Sequence, residues 1–589
     1  MRIERTDTKF LILFAILPIL HLTQVQNVTH EGADLLRLFI FSLYTLIILL
    51  YFRNYFKLKN KIILIPLLLI FVYLVNQIIL GNDITSFILG KYNRFGGLVT
   101  LICLTVYFIL VTNLGDQARP AFSKTIYITY LLMMGQGILT YFRVLPNDTY
   151  LDPADGIVKP TSYLVLGFGN PNIASALMGI TLSIHLFFIL QKIFKILLVQ
   201  SCIFIVGLFI LYKTGSIQGW LILFFNFAII VIYLSKIHRN QIRTKLKVIY
   251  SIIISIISIA LILNIKVIWT NLFVSGNVAA RINYWKSSIR IWGDYKLTGV
   301  GLDNLGEVAT YYRDFELAKQ EGLWTIADRS HNVILDHLVN GGLFGFLIWI
   351  AFIGAVTFMA FRKILQSPKD SVSVYEIGII LIWVGYLLQS LISVDHLFLT
   401  LLGYISAGFI VGEYISKINN EKQKDRKSYL FFVVPLVVLL LFQINQIIFS
   451  YNVNQFLSKG NTKALEKIYN AKYIEQQSYL DTVVKLGGDK QFQLAHAFAL
   501  KLLKINPFAS QAYYANSVYY ESIKNLPQAK LEMQKAHEFD KFNSVYTLSL
   551  GIYEFNLKNF DKANYWLNET IKLNPSQKGI EVLKNSLAQ

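Results

Sequence analysis

Ser330-His331-Asn332, followed by Gly341-Gly342-Leu343-Phe344-Gly345, closes a polar loop of roughly seventy residues, about 271 to 340, in a chain whose earlier residues are mostly hydrophobic segments long enough to cross a bilayer. That contrast decides the fold: membrane spans carrying one large polar excursion. The loop also holds Arg281, Trp285, Arg290, Trp292 and the turn Gly299-Val300-Gly301. One protonatable imidazole and fixed arginines, with membrane on either side, point to chemistry on a lipid-linked substrate.

The composition agrees. Of 589 residues, 54% are hydrophobic and only 15% charged, and the mean hydropathy is +0.50. A soluble chain of this size carries more charge, so the class is a polytopic membrane protein. The net charge of +20 is no nucleic-acid signal, because it gathers in short loops between apolar runs, where it sets topology. Cys103 and Cys202 both fall in apolar runs and read as small core residues. The basic stretch Met1 to Lys9 leads into Phe10–Leu22 with no small-residue cleavage site, so it reads as a first membrane helix.

About thirteen spanning candidates satisfy length and apolarity, near 9–24, 35–52, 61–80, 97–114, 123–143, 172–190, 194–212, 218–235, 249–270, 341–362, 374–392, 396–416 and 429–449. With a cytoplasmic N-terminus, loops after even-numbered helices should be basic. Arg53–Lys61, Gln191–Lys195, Lys236–Lys247, Arg362–Lys369 and Lys417–Lys427 are basic, while the loop with Arg119 and Lys124 is weaker. The loops 25–34 and 144–160, after odd-numbered helices, are acidic. This places 271–340, and everything beyond about 450, outside the cytoplasm.

The expected organisation is therefore all-α. Residues 1–450 form a multi-spanning bundle with a large extracytoplasmic loop, and 451–589 form a separate helical domain. In that last part Ala495, Ala529 and Ala563 recur every 34 residues (529 − 495, 563 − 529), as do Ile505, Phe539 and Leu573, and Asn506, Asp540 and Asn574. Pro507 and Pro575 end units, with Lys541 in the middle place. The period resembles tetratricopeptide repeats, best over 476–577. Such an α-solenoid implies either a stabilising cap or a docking surface for a protein partner or acceptor.

Four further stretches stand in order before the histidine: Arg94-Phe95-Gly96-Gly97, Gly169-Asn170-Pro171-Asn172, Thr214-Gly215-Ser216, and Arg281-Ile282-Asn283-Tyr284-Trp285 running to Gly299-Val300-Gly301. With Ser330-His331-Asn332 and its glycines, this set resembles the O-antigen ligase and polymerase family over most of residues 90–345. The resemblance implies a bacterial multi-pass inner-membrane glycosyltransferase. It would be inverting and metal-independent, need no cofactor, and take its glycan from undecaprenyl diphosphate. The acceptor would be a lipid or cell-wall polymer (ligase), a second lipid-linked repeat (polymerase) or a protein hydroxyl. His331 matches the family's essential histidine. One departure is Ile217, with Gln218 next, where many members carry an arginine. Arg94 or Lys213 is the candidate replacement.

The residues can also be read directly. Arginine binds phosphate oxygens bidentately and stays charged, which makes Arg281, Arg94 and Arg290 the diphosphate candidates. An interfacial arginine commonly just snorkels, but three on the side that should be poor in positive charge argue for an anion. His331, with an ordinary pKa near neutrality, is the general-base candidate. His337 is expected to pack, and His396 to sit at a short outer turn. Asn170 or Asn172 can cap the helix after it and present an anion site. Asn332, Asn170, Asn172 and Gln218 are the supporting candidates. Gly299-Val300-Gly301 reads as a tight turn without a P-loop lysine. Asp328 and Arg329 are expected to form a surface pair, and no cluster has metal-ligand spacing. The rival classes are a lipid-glycan transporter, which should show inverted repeats and mid-membrane charge, and a membrane scaffold whose repeats are the working part.

Overall fold

The structure, a computed structural model, describes all residues except 1–7, 24–32, 59–60, 82, 92–93, 146–148, 152–157, 161–162, 194–195, 238–276, 322–326, 367–372 and 417–426. The described residues are overwhelmingly helical, with one short antiparallel hairpin pairing Thr149–Leu151 to Val158–Pro160. Among them, eight helical stretches are long and apolar enough to cross a membrane: Asp34–Tyr51, Lys61–Leu80, Leu98–Tyr141, Pro171–Leu190, Gln218–Ser235, Val333–Leu365, Leu397–Ile415 and Leu430–Lys459. Leu98–Tyr141 is two helices, Leu98–Leu114 and Arg119–Tyr141, broken at Gly115 with φ 57°. The apolar helices Leu197–Lys213 and Val374–Ser390 have 17 residues each, at the short end of what spans a bilayer. The candidate at 249–270 lies outside the described residues.

The first candidate departs from expectation. Residues 9–24 give two short helices, Thr8–Phe14 and Ile16–Leu22, instead of one. Pro18 explains the break, since its ring clashes with the carbonyl four residues back, that of Phe14.

The bundle centre is built by close helix approach. Gly408 and Gly412, four apart on Leu397–Ser416, face the backbone carbonyls of Phe108 and Thr112, and a Cβ at Gly408 would come within 2.9 Å of the Phe108 oxygen. Small residues four apart let two backbones touch, which is how helices pack where lipid removes the hydrophobic drive. At one end of the bundle Arg119 and Lys363 tie Glu376 and Glu413 across four helices. The polar loop lies at the other.

That loop is clamped by the two glycine motifs. Gly342 breaks the long helix Val333–Gln366 with φ 59° and ψ −165°. The chain around it then pairs with the turn at 296–301: Leu343 N donates to the Lys296 carbonyl (2.9 Å), Val300 N to Val339 (2.9 Å) and Gly301 N to Asn340 (3.1 Å). Gly299 has φ 66° and lies against the Val339 carbonyl and Gly342, while Gly342 lies against the Leu297 carbonyl, so neither position has room for a Cβ. The Asn340 side chain accepts from Asn304 N (3.2 Å) and Leu305 N (3.1 Å), starting the helix Leu305–Tyr312.

Beyond the bundle, helices pack in successive pairs: Gln476–Gly488 with Phe492–Leu503, Ser510–Ser522 with Leu526–Phe539, and Ser544–Asn556 with Phe560–Leu573. Ala495, Ala529 and Ala563 are buried in them. Each pair turns on a left-handed lysine, Lys490, Lys524 and Lys558 (φ 60°, 61° and 63°), again 34 apart (524 − 490, 558 − 524).

Gly342→Ala and Gly299→Ala are each expected to destabilise the protein by about 1–3 kcal/mol, because both combine a left-handed backbone with a blocked Cβ. Gly354→Ala, where a Cβ meets open space, should be neutral or stabilising by up to about 1 kcal/mol. Thermal unfolding of the detergent-solubilised protein compares the three.

Candidate functional site

Helix Asn277–Asp294 sets one wall of the site. Arg281, Tyr284 and Ser288 lie three and four residues apart and so share a face. That face meets the 328–332 segment: Tyr284 stacks on His331 with ring centroids 5.2 Å apart, and Ser288 Oγ donates to Ser330 Oγ at 2.7 Å. Ser330 N is in turn held by Asp336 Oδ1 at 2.7 Å. His331 itself has φ 54°, a strained setting for a non-glycine residue that persists only where neighbours over-determine it. The strain presents the imidazole, and neither ring nitrogen has a hydrogen-bond partner among the described residues.

The second wall is the 91–97 segment. Asp303 Oδ2 accepts from Lys91 N (2.8 Å) and Gly96 N (2.9 Å), and Asp303 Oδ1 pairs with Arg329 at 2.6 Å. Arg94 Nε reaches Asp328 at 2.5 Å. Both terminal nitrogens of Arg94 are left without a protein partner among the described residues. Asp328 and Arg329 therefore do not form the expected surface pair with each other. The backbone sends their side chains to different partners, Arg94 and Asp303, and Arg329 is almost fully buried.

Charge shapes the centre. Arg281, Arg94 and Arg329 all lie within electrostatic reach of His331. Burial, reinforced by these three arginines against the opposing pull of Asp328, lowers the His331 pKa to about 4. Burial also lowers the Arg281 pKa, and Arg281 has no ion-pair partner among the described residues. Burial opposes ionisation of Asp328, yet Arg94 holds it below the usual carboxylate range.

The structure thus brings Arg94, Arg281 and His331 together. Arg290 it does not: nine residues after Arg281 and two after Ser288, it points from the opposite helix face, half exposed, to Asp314 at 3.2 Å. Asn332 accepts from Leu335 N (3.2 Å) at the start of the next helix and donates to the Leu391 carbonyl (3.1 Å). Asn170 caps the helix Pro171–Leu190 through Asn172 N at 2.8 Å, and Asn172 accepts from Ser216 Oγ at 2.8 Å, so the Gly169–Asn172 and Thr214–Ser216 stretches tie to each other. Gln218 is buried, and neither side-chain amide atom has a partner among the described residues. Lys213 sits over Tyr141, Phe209 and Tyr212. His337 bonds Tyr73 (3.1 Å) and stacks on Trp349.

His396 joins the site from the far side. It lines a cavity with Arg94, Arg37 and the apolar Leu20, Leu38 and Phe398. Arg37, missed from sequence, links Asp34 (2.8 Å) to the Thr23 and Gly167 carbonyls. One signal was available: it is a further arginine at a helix end expected to be poor in positive charge. Asp303 was missed too, although it follows directly on the Gly-Val-Gly-Leu turn. Among the described residues, no group of His, Cys, Asp or Glu is placed to hold a metal ion.

Residues 202–350 match the family model described as O-antigen ligase. The matched stretch contains Arg281, His331, Asp303 and both clamping glycines, and ends within the long helix after the site. Arg94 lies outside it, reached through Asp328. No curated protein matches the chain.

In the ligand-free protein His331 should be neutral above about pH 4, and a bound anion should raise that midpoint. Arg281→Gln removes one of the cations that lower it, so the midpoint should move up toward 6.5. NMR titration of ring-labelled histidine, with His331→Gln for assignment, checks this. A wild-type midpoint at 6.5, or none of the upward movement in Arg281→Gln, contradicts the geometry.

Proposed function

We propose that the chain is an O-antigen ligase-like glycosyltransferase that moves a glycan from undecaprenyl diphosphate to an acceptor hydroxyl on the outer face of the bacterial cytoplasmic membrane. The observation that carries this reading is that, among the described residues, the terminal nitrogens of Arg94, the Arg281 guanidinium and the His331 imidazole all stand without a hydrogen-bond or ion-pair partner. Two cations with donors to spare suit a diphosphate, and a neutral imidazole within their reach suits a hydroxyl proton. The family match over 202–350 supports the same class. The distribution of Lys and Arg among the loops supports a cytoplasmic N-terminus, with the site and the tetratricopeptide-like domain outside.

In this mechanism Arg94 and Arg281 hold the donor diphosphate. His331 takes the acceptor's proton as its oxygen attacks the anomeric carbon. The bond from that carbon to the diphosphate oxygen breaks with inversion, and the arginines stabilise the charge on the leaving diphosphate. Burial and the three arginines together keep His331 a weak base; the negative charge of a bound donor offsets the arginines' share, so donor binding raises the basicity of His331. The acceptor is a polysaccharide, a lipid or a protein hydroxyl.

Glycan analysis of a deletion strain complemented with wild type, His331→Ala or Arg281→Ala tests the reading. Both variants, present at wild-type level in the membrane, should accumulate undecaprenyl-linked glycan as the deletion does. Long unattached chains identify a lost ligase step, and single repeats a lost polymerase step. Normal envelope glycan with both variants would overturn the assignment.

A further inference from the structure

We propose that the C-terminal helical domain is a positioning element of the diphosphate site, acting through Glu307; this rests on the transferase reading for what the site binds. The domain meets the loop at equivalent places in successive helix pairs. Asn506 and Phe508 in one pair, and Asp540 and Phe542 in the next, stand 34 apart (540 − 506, 542 − 508). Asn506 donates to Glu307, and Asp540 pairs with Arg313 with side chains 7% and 3% exposed. Phe508 and Phe539 lie against the Tyr311 ring at 6.3 and 6.2 Å, and Phe542 against Phe315 at 6.0 Å. In the third pair, the equivalent Asn574 turns instead onto its own neighbours Ser576 and Gln577.

Glu307 faces both ways. One carboxylate oxygen takes Asn506, and the other takes Lys91 Nζ at 2.5 Å. Burial works against the charge on Lys91, yet Glu307 keeps its pKa above the usual lysine range. The Lys91 backbone N–H is itself a ligand of Asp303, and Asp303 holds Arg329. Arg329 is the residue next to Asp328, which holds Arg94. A path of polar contacts, joined through the chain at Lys91 and at Asp328-Arg329, therefore runs from the helical domain to the diphosphate-binding fork. A buried ion pair that loses one partner leaves an uncompensated charge, so a change at Glu307 is passed to Lys91, whose backbone N–H is held by Asp303. The path needs no contact between the domain and the substrate. Asn506, Glu307 and Lys91 act on Arg94 only by fixing where it stands.

Hydrogen exchange of the purified full-length protein, with no donor present, tests this separately from the transferase reading. In Asn506→Ala and Glu307→Gln, amides in 89–97 and 327–332 should exchange roughly fivefold faster or more, although neither segment contains the substituted residue. Asn506→Asp, which sets a second carboxylate against Glu307, should exceed Asn506→Ala. Thr570→Ala breaks the buried Thr570–Thr547 bond (2.8 Å) within the third pair and loosens the domain away from the interface, so it should leave both segments unchanged. Faster exchange confined to 305–321 and the repeat domain in the Asn506 and Glu307 variants would overturn the proposal, as would an equal response to Thr570→Ala.

Discussion

Everything at the site hangs on one buried carboxylate. Asp303 accepts two backbone N–H groups from the 91–97 segment and pairs with the Arg329 guanidinium. It thereby joins three stretches of chain more than two hundred residues apart at the extremes. A buried charge is tolerated only when its lone pairs are used and its partner is close, and Asp303 meets that condition only while all three stretches are in place. The left-handed backbone of Phe95, Asp303 and His331, with φ of 51°, 56° and 54°, marks the places where the chain bends to satisfy it.

The arrangement separates two kinds of cation. Arg329 is buried and paired, and burial is outweighed by Asp303, Asp336 and Asp395, which hold it charged. It serves the frame. Arg94 is only half used by Asp328, and Arg281 is not paired at all among the described residues. Burial lowers the His331 pKa, and Arg281, Arg94 and Arg329 lower it further against the pull of Asp328.

Much of the fold was legible because its signals are local. Apolar length finds spans, and Gly299-Val300-Gly301 with Gly341-Gly342 marks the two backbones that interlock. The break at Pro18 was also local, but the apolar run across it hid the break. The parts that were not legible are those that depend on pairing across long separations. Asp328 and Arg329 are neighbours in sequence, and their opposite destinations follow from the turn that carries them, not from their identity. Arg281 and Arg290 look alike in a loop. They part company only once the helix Asn277–Asp294 puts them on opposite faces. The 34-residue period was visible, yet nothing in it says that Asn506 and Asp540 turn toward Glu307 and Arg313.

The most direct test of a single diphosphate site is the affinity of the purified protein for a short-chain polyprenyl diphosphate, measured for wild type, Arg94→Ala, Arg281→Ala, the double variant and Arg290→Ala. The account predicts that Arg94→Ala and Arg281→Ala each weaken binding about tenfold or more, as loss of a charge-assisted contact of ~1.5–3 kcal/mol requires. The double variant should be weaker still, and Arg290→Ala unchanged. Unaltered affinity in both single variants, or a loss confined to Arg290→Ala, would contradict it.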